Sequence, residues 1–248
     1  MKDFFDVVWF HLKLFAKNSY FRTIVFVTTI SYVLIQYVAA YAVQDLGNKT
    51  IWLRAGIIGT WAAGTSAAGV IPFQRAQGTL AYILDSRRGE AFSLSTLIIP
   101  AACFGLLSFP ISFITSYVLG IDVSSSNWFL LILGIFSLWF SVIILDFVVA
   151  GIFVLTPNAM LYEGLLMAPI LIGSGIYSMP GKWDTIVKIL GLLLPMTTPV
   201  KLILNPNTIT YVDLAQMLVC SIIWLIVAKA LLTFCLKKVR ISGDMEAI

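Results

Sequence analysis

Long stretches of this sequence carry almost no ionisable side chain, and this feature limits the possible folds more than any other. The stretches from Thr23 to Val43 and from Ile222 to Leu236 are two examples. Each residue of an α-helix advances the chain by about 1.5 Å, so about 20 such residues cross the hydrocarbon layer of a bilayer. The sequence therefore predicts an all-α membrane protein.

The composition argues against several other classes of protein. Hydrophobic residues make up 60% of the 248 residues and charged residues 11%, whereas an ordinary soluble domain has about 25% charged residues. The basic residues stand beside hydrophobic stretches instead of forming one basic face, so we expect no nucleic-acid partner. Three cysteines without CxxC spacing and a single histidine, His11, support neither a disulfide framework nor a metal site. We expect no catalytic residues and no directly bound cofactor.

Six hydrophobic segments are long enough to be transmembrane helices. They cover about residues 22–43, 52–73, 91–119, 128–155, 159–176 and 212–236. No soluble domain of any size lies between them, so we treat residues 1–248 as a single transmembrane domain.

Four further segments flank or connect these spans. Residues 1–20 alternate charges with aromatic and aliphatic residues at helical spacing, which predicts a helix in the membrane interface. Residues 74–90 predict a short amphipathic helix outside the bilayer. Residues 177–207 mix prolines and glycines with apolar pieces too short to cross, which predicts a re-entrant or interfacial hairpin. Residues 237–248 form a polar tail.

The distribution of Lys and Arg predicts the orientation. With six spans and the N-terminus inside, both termini and the 74–90 segment face the cytoplasm, where basic residues are expected to be in excess. The inner side then holds ten basic residues and the outer side five. The inner residues are Lys2, Lys13, Lys17, Arg22, Arg75, Arg87, Arg88, Lys237, Lys238 and Arg240, and the outer ones are Lys49, Arg54, Lys182, Lys188 and Lys201.

Three charged residues lie at least four residues from either end of the predicted spans: Asp146, Glu163 and Lys229. A charge near the centre of a membrane helix costs at least about 2.5 to 3.5 kcal/mol, so such residues are functional candidates. All three are predicted in the cytoplasmic half. Our hypothesis is that Lys229 pairs with Asp146 or Glu163 and holds three helices together. The alternative is that Lys229 extends to the headgroups while Glu163 lies at the interface.

Two segments resemble those of a known family. The sequence Arg75-Ala76-Gln77-Gly78-Thr79-Leu80, followed by Asp85-Ser86, resembles the cytoplasmic coupling segment of type-2 ABC exporter permeases, the ABC-2 membrane family. Ser174-Gly175-Ile176-Tyr177-Ser178-Met179-Pro180 and the later Leu194-Pro195-Met196-Thr197 resemble the stretch that follows the fifth span in that family. The sequence departs from the family at Ala81, where relatives commonly have an acidic residue.

The resemblance implies a permease subunit that pairs with an identical or similar chain and sits on two ABC ATPase subunits, which use ATP and Mg. This chain contains no G-x-x-x-x-G-K-[ST] phosphate loop, so the ATPase is expected to be a separate chain. The residues implied in ATPase coupling are Arg75, Gly78, Thr79, Leu80, Asp85, Arg87 and Arg88.

The resemblance also suggests a location and a substrate class. The chain would be a multi-pass protein of a bacterial cell membrane that exports a hydrophobic or amphipathic substrate, such as a bacteriocin, a toxin or a drug. Export of polysaccharide, lipid or haem stays open. Pro195 and Met196 are candidates for an outer gate, although a prolyl turn that returns the chain to the bilayer would explain them as well.

Two other classes of function remain as alternatives. An ATP-independent channel or secondary transporter is compatible with the same spans. A secondary transporter often has duplicated halves with matched broken helices, whereas only the second half of this chain has a broken region. An intramembrane enzyme is disfavoured because the sequence has neither an HExxH nor a GxSxG motif.

Overall fold

The computed structural model describes residues 2–45, 47–85, 88–125, 127–156, 165, 168–177 and 180–242. Within these residues the chain is helical and has no strand. The prediction of an all-α protein is therefore confirmed. The helices are α1 (Lys2–Lys17), α2 (Ser19–Ala42), α3 (Thr50–Ala68), α4 (Val70–Ala76), α5 (Leu80–Leu84), α6 (Glu90–Cys103), α7 (Ser108–Val118), α8 (Trp128–Leu155), α9 (Lys182–Leu193), α10 (Thr197–Leu204) and α11 (Tyr211–Ser242).

Four stretches among the described residues are long and apolar enough to cross a membrane. Two are the helices α2 and α8. The third, Glu90–Val118, joins α6 to α7 through a 3₁₀ turn, and the fourth, Tyr211–Lys238, is most of α11. They contain 24 to 29 residues, which corresponds to about 36 to 44 Å against about 30 Å of hydrocarbon. The chain is thus a membrane protein.

Helix α3 lies at the centre of the bundle and is less apolar than these four stretches. It packs against α2, α6, α7 and α8, and all of its residues except Thr50, Arg54 and Ala62 are buried. A helix enclosed by protein does not need a lipid-facing surface, so its sequence can be rich in Gly, Ala, Ser and Thr, which let neighbouring backbones approach closely. This enclosure explains why the predicted second span, 52–73, has the weakest hydrophobicity.

Two glycines of α3 illustrate how closely its neighbours approach. A Cβ atom added at Gly59 would overlap the side chain of Thr29 in α2, and one added at Gly64 would overlap Val142 in α8. Real side chains do not approach so closely, so both positions require glycine for this packing.

Helix α1 has two apolar faces. One packs along α6, where the rings of Phe4 and Phe92 are 5.6 Å apart and Phe15 is buried in the core. The other face exposes Phe5, Trp9, Phe10 and Leu14. The 1–20 segment thus contains the helix α1, which ends at Lys17, while Ser19 already begins α2. The exposed aromatic face of α1 is of the kind that enters a membrane interface.

Two predicted segments need correction or fall outside the description. The 74–90 segment is not one helix, because residues 74–76 end α4, only Leu80–Leu84 form a helix of their own, and Glu90 begins α6. Eight of the 18 residues of the predicted fifth span, 159–176, lie outside the described residues, and residues 165 and 168–173 of the span are helical.

Candidate functional site

The turn between α4 and α5 has a geometry that explains its sequence. Gly78 has φ of +67°, a left-handed conformation that glycine adopts without steric cost. The N–H of Gly78 donates to the carbonyl of Arg75, and the N–H of Thr79 donates to the carbonyl of Gln74. This pattern is a Schellman motif, which satisfies the last carbonyls of a helix. The Thr79 hydroxyl also donates to the Gln74 side chain, so the turn is held at both residues.

Helix α5 points one face into the bundle and the other outward. Leu80 is buried in the core, whereas Tyr82 is 80% exposed and Asp85 is exposed. We did not single out Tyr82 from the sequence. The signal was present, since a helix that turns the apolar residues 80 and 83 inward must turn residue 82 to the opposite face. Exposed tyrosines are frequent contact residues in protein interfaces.

Arg75 joins α4 to the end of α8. Its guanidinium donates to the carbonyl of Thr156 at 3.2 Å and also to that of Val154. These carbonyls lie at the C-terminus of α8, where backbone acceptors have no partner within the helix and where a cation is favourable. Arg75 is only partly exposed, so it is an internal link in this structure.

Arg88 also contacts other residues of the chain, in its case at the surface. Its guanidinium lies 3.3 Å from the Asp3 carboxylate in α1 and 5.3 Å from the centre of the Phe92 ring in α6. Arg88 thus links the start of α6 to α1. Arg87 lies outside the described residues.

The structure does not bring Lys229 to Asp146, which is one of the two pairings in our hypothesis, and the pairing of Lys229 with Glu163 stays a prediction. Asp146 is fully buried on α8, with its carboxylate facing Gly64 of α3. Lys229 is exposed on α11 and forms no ion pair with Asp146. The reason is the direction in which the Asp146 side chain points around the axis of α8. Phe147, the next residue of α8, borders the same groove as Lys229, and successive helical residues point about 100° apart. Glu163 lies outside the described residues.

Helices α9 and α10 form a bent pair with an angle of 114° between them. The bend contains Pro195 and Met196, the candidate gate residues, and both are buried. The Ser141 hydroxyl donates to the Pro195 carbonyl at 3.1 Å. Ser141 is near the midpoint of α8, so the bend reaches about half of the way along that helix. The structure thus places a helix break at the depth of the bundle centre.

The end of α9 is capped by side chains from α11. Gln216 Nε2 donates to the Leu192 carbonyl at 3.2 Å, and the Trp224 indole N–H donates to the Leu193 carbonyl at 2.6 Å. The Cys220 thiol also contacts the Leu192 carbonyl at 3.2 Å. We call Gln216, Cys220 and Trp224 the capping row. They are four residues apart and therefore share one face of α11.

Sequence reasoning missed the capping row. Its signal was the regular spacing of three hydrogen-bond donors within an apolar span. In hydrocarbon, a broken helix needs such donors because no water is present to satisfy its last carbonyls.

A polar cluster fixes the start of α11. Lys201 in α10 lies 2.9 Å from the Asp213 carboxylate, and the Thr210 hydroxyl donates to the same carboxylate at 2.7 Å. The Thr198 hydroxyl donates to the Asp213 carbonyl. Together with the capping row, this cluster binds the end of α9 and helix α10 to the first half of α11.

These features define a helical membrane protein with an exposed short helix at one end of the bundle and a buried helix break deep within it. Within the described ranges, no three His, Cys, Asp or Glu side chains are grouped to hold a metal ion. No family model, no curated protein and no solved structure matches the chain.

Proposed function

We propose that this chain is the permease subunit of a type-2 ABC exporter. It pairs with an identical or similar chain, binds two ABC ATPase subunits that use ATP and Mg, and moves a hydrophobic or amphipathic substrate such as a bacteriocin, a toxin or a drug out of the cell. The observation that carries the proposal is the α4–α5 segment. It presents Tyr82 outward while being fastened to the bundle on its inner side.

The proposal includes six spans. To the four apolar stretches it adds α3 together with α4, and the segment around residues 168–173. Both termini and α5 then face the cytoplasm of a bacterial cell, in agreement with the excess of basic residues on that side. The bent pair becomes a re-entrant hairpin that enters from the outer side, with Pro195 and Met196 at its tip.

The contacts of the α4–α5 segment suggest how a force on α5 would reach the spans. Helix α4 follows α3 after a single residue, Gly69, and Arg75 holds the end of α8. Leu80 lies in the same core cluster as residues of α3, α6 and α8. A displacement of α5 by an ATPase would therefore act on three helices at once. Arg75 and Arg88 would transmit this displacement, and Tyr82 and Asp85 would contact the ATPase.

The test is a comparison of ATPase coupling between two tyrosine variants. The chain is co-expressed with candidate ABC ATPases, and the ATPase activity of each complex is measured in lipid. Tyr82→Ala is expected to weaken the complex and to lower the stimulation of ATPase activity by about tenfold, as for loss of an interface hot spot worth about 1.4 kcal/mol. Tyr117→Ala is the matched control. Tyr117 is 70% exposed in α7 and lies near the end of the Glu90–Val118 stretch, whereas α5 precedes the beginning of that stretch.

Equal coupling in both variants would refute the docking role of α5. Arg75→Ala is a poor test of docking, because it also removes the partner of the α8 carbonyls. A chain that binds no ATPase and conducts solute in liposomes would instead support the ATP-independent channel or secondary transporter.

A further inference from the structure

A cavity of about 510 Å³ lies at the end of the bundle where α3 begins. Its size is within the range of about 300 to 1,000 Å³ that is typical of ligand pockets. The start of α3, the loop before α8 with the first residues of α8, and the end of α10 form its walls. We call it the outer cavity. Because the 19 residues of α3 rise about 28 Å from here toward α4 and α5, the outer cavity is far from the proposed ATPase contact.

The lining of the outer cavity changes from polar to aliphatic with burial. The polar lining residues are all exposed or partly exposed and are Lys49, Thr50, Ser124, Ser125 and Asn127. The buried lining residues are all aliphatic and are Leu53, Leu131, Leu202 and Ile203. The cavity therefore has a polar mouth and an aliphatic floor. Such a lining fits a molecule with a polar end and an apolar body.

The charge at the mouth comes from Lys49. Among the described residues that line the cavity, Lys49 alone carries a charge. Its ammonium lies 3.5 Å from the carboxylate of Asp122, and the two side chains are 59% and 41% exposed. An exposed ion pair of this kind is weak, and an ammonium has three N–H groups. Lys49 can therefore bind a second anion beside Asp122, which does not itself line the cavity.

The other polar groups at the mouth favour a peptide as the occupant. The Asn127 side-chain oxygen accepts from the N–H groups of Phe129 at 3.0 Å and Leu130 at 3.2 Å, which fixes the amide at the start of α8. The Asn127 amide N–H groups and the hydroxyls of Ser124 and Ser125 can then bind an occupant. A fatty acid has polar atoms only in its carboxylate, whereas a peptide also has amide groups along its backbone.

We propose that the outer cavity binds the C-terminal end of a hydrophobic peptide. Lys49 holds the terminal carboxylate, the polar groups of the mouth bind the peptide backbone, and the last side chains of the peptide lie on the aliphatic floor. Close packing of α10 on α8 closes this floor, since a Cβ atom added at Gly134 would lie 2.8 Å from the Ile203 side chain. A role of this site in peptide export rests on the proposed exporter function, but binding itself needs no ATPase.

The test measures peptide binding to the full-length protein in non-ionic detergent without any ATPase. The probe is a hexapeptide of leucine and alanine with a dansyl group at its N-terminus, prepared as the free acid and as the C-terminal amide. Binding is followed by fluorescence anisotropy. Wild type is expected to bind the acid about tenfold more tightly than the amide, as for one hydrogen bond between charged groups. Lys49→Gln should lower the affinity for the acid to that for the amide.

Matched variants separate the charge of the cavity from its shape. Lys182→Gln changes an exposed lysine that does not line the cavity and should bind both peptides as wild type does. Asp122→Asn removes the competing charge but keeps an oxygen for the Ser124 N–H, so it should tighten binding of the acid by about threefold and leave the amide unchanged. Ser125→Phe fills the cavity and should weaken both peptides, whereas Asn207→Phe, at an exposed position outside it, should weaken neither.

Several results would overturn the proposal. They are equal binding of the acid and the amide by wild type, and binding of the acid by Lys49→Gln that equals wild type. Displacement of the labelled peptide by dodecanoate as readily as by unlabelled peptide would also overturn it, because the site would then take a fatty acid. Circular dichroism and gel filtration show whether each variant is folded. If Lys49→Gln does not fold, normal peptide binding by Ser125→Phe would exclude the cavity as the site.

Failure of the exporter proposal would give a different pattern. A chain that forms no ATPase complex but prefers the acid in the expected way would support the peptide site and contradict the exporter. A complex with coupled ATPase activity that binds the acid and the amide equally would contradict the peptide site alone.

Discussion

Removal of the indole donor at Trp224 should destabilise the bent pair. Trp224→Phe keeps an aromatic ring in α11 but leaves the Leu193 carbonyl without its hydrogen bond of 2.6 Å. The Leu193 carbonyl is one of the last four carbonyls of α9, and such carbonyls have no N–H donor within their own helix. In hydrocarbon, no water can take the place of the indole.

The structure allows the magnitude of this loss to be bounded. A polar group left unsatisfied in an apolar environment costs about 1 to 3 kcal/mol, whereas hydrogen bonds between membrane helices average about 0.6 kcal/mol and reach about 1.7 kcal/mol. The short, single donor at Leu193 indicates a value near 1 to 1.5 kcal/mol, within those ranges. Gln216→Leu should cost less, because the Cys220 thiol still contacts the Leu192 carbonyl.

The two changes act on neighbouring carbonyls of the same helix end, so their effects should be coupled by at least about 0.5 kcal/mol. The assay is reversible unfolding in mixed micelles of mild detergent and dodecyl sulfate, followed by far-ultraviolet circular dichroism. Amide hydrogen exchange then locates the effect, and protection should fall first in α9. Trp183→Phe is the matched control, because Trp183 is 66% exposed in α9 and donates no hydrogen bond to a described residue.

The reasoning would be refuted if Trp224→Phe cost no more free energy of unfolding than Trp183→Phe. It would also be refuted if exchange increased throughout the bundle equally, since the capping row acts on the end of one helix.

Three further predictions concern other parts of the bundle. Gly64→Ala should lower the free energy of unfolding by about 1 to 3 kcal/mol, as expected for overpacking against Val142, and this is measurable by the same unfolding titration. Gly78→Ala should cost about 1 kcal/mol, because a φ of +67° is unfavourable for alanine, and it should increase proteolysis between α4 and α5. Burial lowers the pKa of His11 below 6.5, so folding stability should fall as the pH drops below 6.5, and His11→Gln should remove this dependence in a thermal unfolding series between pH 5 and 8.

These predictions have their own controls. Gly47→Ala should be nearly neutral, because an added Cβ at Gly47 meets no atom within 4 Å. A Gly64→Ala protein as stable as wild type would contradict the close approach of α3 and α8. The sign of the histidine effect follows from burial of the neutral ring, since the unfolded chain then binds the proton more tightly. Stability that rose on acidification would contradict it.

The apolar spans could be predicted well from the sequence. Residues 128–155 coincide with α8, and the long uncharged stretch after Thr23 belongs to α2. The length of a hydrophobic stretch is a local property, so it can be determined without knowledge of the packing. Helix α3 was harder to interpret because its small residues are explained by neighbours on every side, which a single sequence does not reveal.

The functional candidates were predicted less well, because their roles depend on contacts between distant segments. The resemblance implies a coupling role for Arg75, but the sequence gives no sign that its guanidinium binds carbonyls about 80 residues further along the chain. Lys229 and Asp146 lie at similar predicted depths, but depth does not specify the direction of a side chain around the helix axis. Tyr82 could have been identified from helical periodicity alone.

The prolines and glycines of residues 177–207 predict short helical pieces in a hairpin, and the bent pair of α9 and α10 falls within this range. The depth of the bend and its stabilisation were not predicted. Both depend on Ser141 in α8 and on the capping row in α11, and the pairing of such segments cannot be deduced from one sequence.

The most direct test of the exporter proposal is the composition of the complex formed with a candidate ATPase. The chain is co-expressed with ABC ATPases encoded near it and purified in lipid nanodiscs, and the mass of the intact complex is measured together with its ATPase activity. The account predicts two permease subunits with two ATPase subunits, and ATPase activity that depends on Tyr82. A chain that purifies without any ATPase and yet conducts solute across liposome membranes would contradict it.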